Sequence, residues 1–226
     1  FQRLPGFADD VLGLACWLHR EAPTTDRTLF HCAVLLSRLL VDDHGTSKLA
    51  RKDSMIQLLK NWLEDESSQA LCCTSIDMIF LLANESQGRA YLCKFANGAI
   101  VRALVSKTDK PRLALPAIQA LLRLIDKKTS PAIVKRCKSI VARLSLAAEA
   151  DDESSVLAAQ ALKRLSSYIP LRHKSFPEAF DALTSLTYSK NSQIRYWAAK
   201  GLYEHSKYEA GRFYLARATD ASHALG

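Results

Sequence analysis

The chain has 226 residues, of which 48% are apolar and 24% are charged, and its formal net charge is +8. With only 8 glycines and 7 prolines, this is the composition of a folded chain, which excludes extensive disorder. No apolar run approaches the roughly 18 residues that a membrane-spanning helix needs, and the first residues lack the basic start and apolar core of a signal peptide. We therefore expect a cytoplasmic or nuclear location. Because the chain opens on Phe1, we also expect it to be part of a larger protein.

Helical patterns follow one another along the whole chain. An amphipathic helix is predicted over residues 7–20, where apolar residues recur at helical spacing. A motif that begins at Ala33, A-V-L-L-S-R-L-L in the stretch from Cys32 to Leu40, then predicts the first of five similar helices. These motif helices are expected at about 27–41, 68–83, 112–126, 153–168 and 193–207. A last helix is predicted from Glu209 onward.

The segments between the motif helices are also helical in pattern. A partner helix is predicted over 49–63, and a turn at Asn97-Gly98 separates two short helices over 88–95 and 99–106. Ser68 is a candidate to cap the second motif helix.

Prolines mark the second half of the chain. Pro116 falls inside the third motif helix, where it should delay the start of that helix or kink it. Ser130-Pro131 begins a long helix that is predicted to continue to about residue 148.

The motif recurs about every forty residues. Its first residues are Ala33, Ile76, Ile118, Ala159 and Ala199, at steps of 43, 42, 41 and 40 residues. Apolar residues return three and six positions later, except for His205, so each copy has one apolar helix face. A helical unit with this period predicts an all-α superhelix, or α-solenoid. We expect one repeat domain over 1–226, with a capping helix at 1–24 and repeats at 25–66, 67–110, 111–152, 153–191 and 192–226.

The segment from Tyr91 to Asp109, with the motif A-I-Q-A-L-L-R-L-I that follows it, resembles an armadillo repeat. In that family a short first helix leads through a glycine turn into a second helix, and a third helix carries an A-x-x-L-x-x-L motif. The resemblance covers nearly the whole chain from about Thr25, with Asn97-Gly98 at the glycine turn. It implies four to five armadillo-like repeats in which the motif helices are third helices. The long helix predicted over 131–148 would fuse a first and a second helix, as in HEAT repeats.

The resemblance also implies where a ligand binds, because armadillo proteins hold extended peptides against the third helices on their concave side. Importin-α-like members place Trp one position, and Asn five positions, after the first motif residue. The first of these positions holds Val34, Asp77, Gln119, Gln160 and Lys200 here, and the second holds Arg38, Leu81, Arg123, Arg164 and Glu204. The Trp–Asn ladder is missing, so recognition of basic import signals is not expected.

Basic and amide side chains stand in place of that ladder. Guanidinium groups bind carboxylates or phosphates bidentately, and glutamine amides can bond a peptide backbone. We therefore predict a non-enzymatic protein-interaction scaffold whose partner is an extended acidic or phosphorylated segment. The candidate site residues are Arg38, Gln119, Arg123, Gln160, Lys163, Arg164, Trp197 and Lys200. The alternative is that the arginines are solvated and have local acidic partners, such as Asp42 for Arg38 and Asp126 for Arg123.

Two other functions stay open. The stretch I-R-Y-W-A-A-K-G-L from Ile194 to Leu202 resembles UCS-type chaperones, which implies a clamp for a folded client such as myosin. Basic runs at 127–138 and 171–174 leave nucleic acid as a weaker alternative, because most of the first run forms the polar face of an amphipathic helix.

No motif indicates catalysis. The sequence has no Gly-rich phosphate loop, no H-E-x-x-H and no G-x-S-x-G. Cys16 and His19 have one spacing that a zinc site uses, but no second ligand pair follows. We expect no enzyme activity, no cofactor, no metal and no disulfide among Cys16, Cys32, Cys72, Cys73, Cys93 and Cys137.

Overall fold

The computed structural model describes residues 6–21, 27–41, 49, 52–150, 152–169 and 175–224, with 175 and 218–224 as backbone only. Within these residues the regular structure consists of thirteen α-helices and one 3-10 helix, with no strand. The predicted all-α class is therefore confirmed. The chain divides into two compact units, Phe1–Leu104 and Val105–Gly226. None of the described helices combines the length and the apolar character needed to cross a membrane.

The first unit places two motif helices side by side. Its elements are α1 (Phe7–Glu21), α2 (Arg27–Leu40), α3 (Asp53–Glu64), α4 (Gln69–Leu82), α5 (Ser86–Lys94), a 3-10 turn (Phe95–Asn97) and α6 (Ala99–Val105), which ends where the second unit begins. Helix α2 packs on α1 and α4, and α4 packs on α3 and α5. The motif helices of this unit, α2 and α4, are thus direct neighbours.

The second unit continues the same pattern. Its elements are α7 (Ala114–Leu124), α8 (Ser130–Arg136), α9 (Ile140–Glu149), α10 (Ser155–Ser166), α11 (Ser175–Leu186), α12 (Ser192–Ser206) and α13 (Glu209–Ala224). Helix α10 packs on α7 and α12 as well as on α9 and α11, and α12 also packs on α11 and α13. The third helices α7, α10 and α12 therefore lie side by side in that order.

The apolar face of the motif is buried, as predicted. The first and fourth motif residues of the first four copies are at most 1% exposed: Ala33, Leu36, Ile76, Ile79, Ile118, Leu121, Ala159 and Leu162. The fifth copy differs, because Ala199 is exposed and Ala198 is buried. The expected register was wrong there by one residue. The buried positions of α12 are Ile194, Ala198, Gly201 and His205.

Two expectations about prolines and helix ends have different outcomes. Helix α7 begins at Ala114, so Pro116 lies in its first turn, where a backbone N–H has no intrahelical partner to lose. The late start is confirmed. The prediction of one long helix over 131–148 is wrong. Helix α8 ends at Arg136, and Cys137 has a non-helical backbone conformation, with φ −126 and ψ 85. The repeat therefore has separate first and second helices, as armadillo repeats do.

A Gly-Arg pair opens α5 and α13 in the same way. Gly88 lies against the carbonyl of Leu82, and Gly211 lies against the carbonyl of His205. The arginine that follows each glycine donates to carbonyls at the end of the preceding helix: Arg89 to Ala83 and Asn84, and Arg212 to Ser206 and Lys207. These carbonyls lack intrahelical partners, and a cation at a helix C-terminus is favourable. The short sequence G-R-x-Y-L, at 88–92 and 211–215, thus marks one type of helix junction.

The turn between α5 and α6 is the predicted glycine turn. Asn97 and Gly98 have φ of 56 and 81, in the left-handed region that glycine tolerates without strain. Ser68 is the N-cap of α4, as predicted, and accepts a hydrogen bond from the backbone N–H of Leu71.

A buried histidine joins α12 to its neighbours in the second unit. The His205 ring packs edge-on against Phe176 at 4.9 Å between ring centroids, and Tyr214 lies 5.4 Å from Phe176. The Nε2 atom of His205 has no hydrogen-bond partner among the described residues. Burial lowers the pKa of His205 because the charged ring would be poorly solvated, while Glu204 raises it and Lys163 lowers it further.

Candidate functional site

Seven of the eight predicted site residues lie on the three adjacent third helices of the second unit. Gln119 and Arg123 are on α7, Gln160, Lys163 and Arg164 on α10, and Trp197 and Lys200 on α12. All seven are exposed or half-buried. We call this surface the third-helix face. The eighth residue, Arg38, is exposed on α2 in the first unit, and its predicted partner Asp42 lies outside the described residues.

Arg164 connects α10 to α7. Its Nη1 atom donates a hydrogen bond of 3.3 Å to the backbone carbonyl of Leu122, in the last turn of α7. Carbonyls there have no intrahelical partner, so the guanidinium satisfies one of them and complements the helix dipole. Leu122 directly precedes Arg123. The contact therefore brings the Arg164 guanidinium to the end of α7 that also carries Arg123.

The two glutamines accompany these cations. Gln119 is exposed and Gln160 is half-buried, and each lies one helical turn before the arginine of its own helix. Neither side-chain amide is hydrogen-bonded to another part of the described chain. Their donors and acceptors are available to a ligand.

Lys163 lies between α10 and α12. A Cβ at Gly201 would be 3.4 Å from the Cγ of Lys163 and 2.8 Å from a methyl group of Leu183. The absence of a side chain at Gly201 therefore leaves room for both of these side chains. The pKa of Lys163 is lowered, first by burial and then by the nearby cations Lys200, Arg164 and Lys207, while Glu204 opposes this effect. Lys163 is thus a partly desolvated cation inside a basic cluster.

Aromatic rings hold Lys200 in position. Its ammonium donates to the Tyr196 hydroxyl at 3.2 Å and lies 5.4 Å from the Tyr196 ring centroid and 5.1 Å from that of Trp197. The two rings contact each other edge-on at 5.2 Å. Trp197 is half-buried, and the Lys200 ammonium makes a cation–π contact with its ring. Lys200 lies two positions after the first motif residue, not one, because of the register change at Ala198.

Lys207 and Glu204 extend the cluster along α12. Lys207 donates to the Glu204 carboxylate at 2.8 Å, and its ammonium lies 4.9 Å from the Tyr203 ring centroid. The pKa of Glu204 is lowered, first by this hydrogen bond and also by the neighbouring charges of Lys163 and Lys200. Tyr203 and Lys207 are not among the predicted site residues, because they lie outside the two motif positions that hold the Trp–Asn ladder in importin-α-like proteins. The signal was present: Tyr196, Lys200, Tyr203 and Lys207 recur at intervals of four, three and four residues, which is one helix face.

Four of the six cysteines are buried, and Cys16 and Cys73 are half-buried. Burial raises the pKa of Cys16, and burial together with Asp77 raises that of Cys73, so neither is an activated thiolate. Among the described residues no group of three or more His, Cys, Asp or Glu side chains is placed to hold a metal ion.

Comparison with known proteins gives structural matches only. No family model matches the sequence, and no curated protein matches it. Among solved structures, the chain is similar to a designed armadillo repeat protein, YIII(Dq.V1)4CPAF in complex with the peptide (KR)4, with a TM-score of 0.74 and 13% identity. That match covers 94% of this chain and 88% of the designed one. A second engineered protein has a TM-score of 0.58 and 18% identity, covering 86% of this chain and 78% of its own. The chain therefore has an armadillo-like repeat fold, as the sequence resemblance implied.

Proposed function

We propose that this chain is a non-enzymatic protein-interaction scaffold that binds an extended, net-acidic protein segment along the third-helix face. The observation that carries the proposal is the row of basic side chains on adjacent third helices: Arg123 on α7, Lys163 and Arg164 on α10, and Lys200 on α12. Charged groups arranged in this way on one surface favour partners of opposite charge.

The designed armadillo protein is a precedent for the binding of a charged peptide, but its peptide is basic, whereas the segment proposed here is acidic. Its ligand, (KR)4, is a peptide of alternating lysine and arginine. A scaffold of this fold thus binds a charged peptide in that protein. Here the third-helix face is itself basic, so we infer a ligand rich in Asp and Glu.

The spacing of the repeats suits an extended segment. Packed helices lie about 8–10 Å apart, which corresponds to about three residues of extended chain at roughly 3.3 Å each. The axes of α7 and α10 follow this spacing, and Arg164 reaches back to the end of α7, so Arg123 and Arg164 can bind acidic side chains of nearby residues in the segment, each as a charge-assisted pair. Gln119 and Gln160 bond the peptide backbone between them, which fixes its direction and register.

The test uses a fluorescent octapeptide of alternating Asp and Glu, (DE)4, with (KR)4 as the matched control of opposite charge. We expect fluorescence anisotropy to show binding of (DE)4, weakened by added salt, and no binding of (KR)4. Arg123→Glu with Arg164→Glu should weaken (DE)4 binding by more than about a hundredfold, because each of the two lost charge-assisted bonds costs about 1.5–3 kcal/mol, or about tenfold to a hundredfold in affinity. Circular dichroism must show that the double variant keeps its helices, since Arg164 also bonds the Leu122 carbonyl.

A second double variant separates a local site from the overall positive charge. Arg112 lies two residues before α7 and Lys138 lies between α8 and α9, and both are exposed residues outside the third helices. Arg112→Glu with Lys138→Glu changes the net charge equally and should change (DE)4 affinity by less than about twofold. If both double variants lose the same amount of (DE)4 affinity, binding at the third-helix face is refuted. A chaperone-like clamp would instead bind only a whole folded client, and preferential binding of an oligonucleotide over (DE)4 would indicate a nucleic-acid partner.

A further inference from the structure

The exposed side of α12 alternates aromatic and cationic residues. Tyr196, Lys200, Tyr203 and Lys207 follow one another along one helix face, and each lysine ammonium lies over a tyrosine ring. Lys163 of α10 lies beside the bare Gly201, and its charge interacts with those of Lys200, Glu204 and Lys207. Three ammonium groups from two helices are therefore gathered on one part of the surface.

A single carboxylate lies among these three cations. Glu204 accepts the hydrogen bond of Lys207 at 2.8 Å, and its other near cations are Lys163 and Lys200. The Lys200 ammonium bonds a tyrosine hydroxyl instead, and Lys163 has no side-chain partner among the described residues. Glu204 balances only one of the three lysine charges, so the cluster keeps a net positive charge that an anionic ligand can neutralise.

The lysines are held in place before any ligand binds. Cation–π contacts, which contribute roughly 0.5–1 kcal/mol at exposed sites, keep the ammonium groups of Lys200 and Lys207 near the tyrosine rings. A nucleic-acid base that stacked on either tyrosine would lie beside an ammonium group that already contacts the ring. The arrangement therefore favours an anionic side chain over a base.

The geometry points to an anion site formed by Lys163, Lys200 and Lys207 that binds a phosphorylated side chain of the partner segment, with Glu204 occupying part of that site in the free protein. This inference rests on the proposed function for the rest of the segment. A phosphoryl group brings about 1.5–2 negative charges and three strong acceptor oxygens. An Asp or Glu carboxylate brings one charge and two oxygens, and Glu204 already provides one such group. Three ammonium donors on two helices match the phosphoryl group better.

The experiment scans phosphoserine through (DE)4. Eight peptides each carry one phosphoserine, and eight controls carry serine at the same position. We expect one or two positions at which phosphoserine binds at least tenfold more tightly than the parent (DE)4. Lys200→Gln with Lys207→Gln should reduce that gain to less than about twofold, while the helical circular dichroism spectrum stays unchanged.

A matched pair of variants tests the role of Glu204. Glu204→Gln removes the internal carboxylate and should tighten binding of the selected phosphopeptide about threefold to tenfold. Glu64 forms a comparable intrahelical pair with Lys60, at 2.7 Å on α3, so Glu64→Gln should leave binding unchanged. If Glu204→Gln weakens or does not alter binding, Glu204 does not compete for the site.

The outcomes separate the two proposals. If (DE)4 itself does not bind, the acidic-segment function is wrong. If (DE)4 binds but no phosphoserine position gains affinity, or if the gain survives in the double lysine variant, only the phosphoryl site is overturned.

Discussion

Replacement of Gly88 by alanine should destabilise the first unit, because the start of α5 lies directly against the end of α4. A Cβ at residue 88 would lie 2.1 Å from the carbonyl oxygen of Leu82 and 3.1 Å from its carbonyl carbon. These are backbone atoms, so α5 must move away from α4 to admit the methyl group. Overpacking of this kind costs about 1–3 kcal/mol, and the helix preference for Ala over Gly returns at most about 1 kcal/mol. Because the close atoms belong to the backbone, the cost lies at the upper end of that range, and we expect a net loss of about 2 kcal/mol in the free energy of unfolding.

Urea denaturation followed by circular dichroism measures this loss, and Gly13 provides the control. Gly13 is an exposed residue inside α1 whose added Cβ would meet nothing within 4 Å. Gly13→Ala should therefore stabilise the protein by about 0.5–1 kcal/mol through helix preference alone. Opposite signs for the two variants are the expected result. A Gly88→Ala variant as stable as the wild type would refute the close approach of α5 to α4.

Further predictions concern stability, caps and thiols. Stability should fall as the pH is lowered below about 6.5 and should level off once the pH is below the lowered pKa of folded His205, because the unfolded chain binds that proton more readily. His205→Phe should remove this part of the pH dependence in denaturation curves, whereas an unchanged slope would exclude His205 as its source. Asn191→Ala should cost about 0.5–2 kcal/mol, since the Asn191 side chain caps α12 by accepting from the N–H of Gln193 at 2.9 Å. Thiol titration in denaturant should count all six cysteines of the fresh protein as free, and metal analysis should find no bound zinc; fewer thiols would contradict this.

The sequence predicted the repeats well because their signal is local. Each motif helix packs against neighbouring helices through one face, so its apolar residues must recur at a fixed spacing. That spacing can be read directly from the sequence. The five motif helices accordingly fall within a few residues of their predicted bounds, at α2, α4, α7, α10 and α12. The glycine turn at Gly98 was also predictable, because a positive φ restricts the residue type.

The remaining features depend on contacts between helices. No Gly or Pro marks the break at Cys137, where α8 ends at Arg136 and α9 begins at Ile140. The register change at Ala198 depends on Gly201 lying against Leu183, a residue of another helix. Likewise, the sequence placed Lys163 and Lys200 on the candidate site but did not reveal that Glu204 lies between them and Lys207. That arrangement requires α10 and α12 to be neighbours.

Site-specific photo-crosslinking tests the central claim most directly, because it reports where an acidic segment lies. A benzoyl-phenylalanine at Gln119 places the reactive group on α7 beside Arg123, and the same residue at the exposed Gln57 on α3 is the control. We predict that labelled (DE)4 crosslinks at position 119, that unlabelled (DE)4 but not (KR)4 competes, and that Arg123→Glu with Arg164→Glu abolishes the product. Equal crosslinking at positions 57 and 119, or a product that survives the double substitution, would contradict binding at the third-helix face.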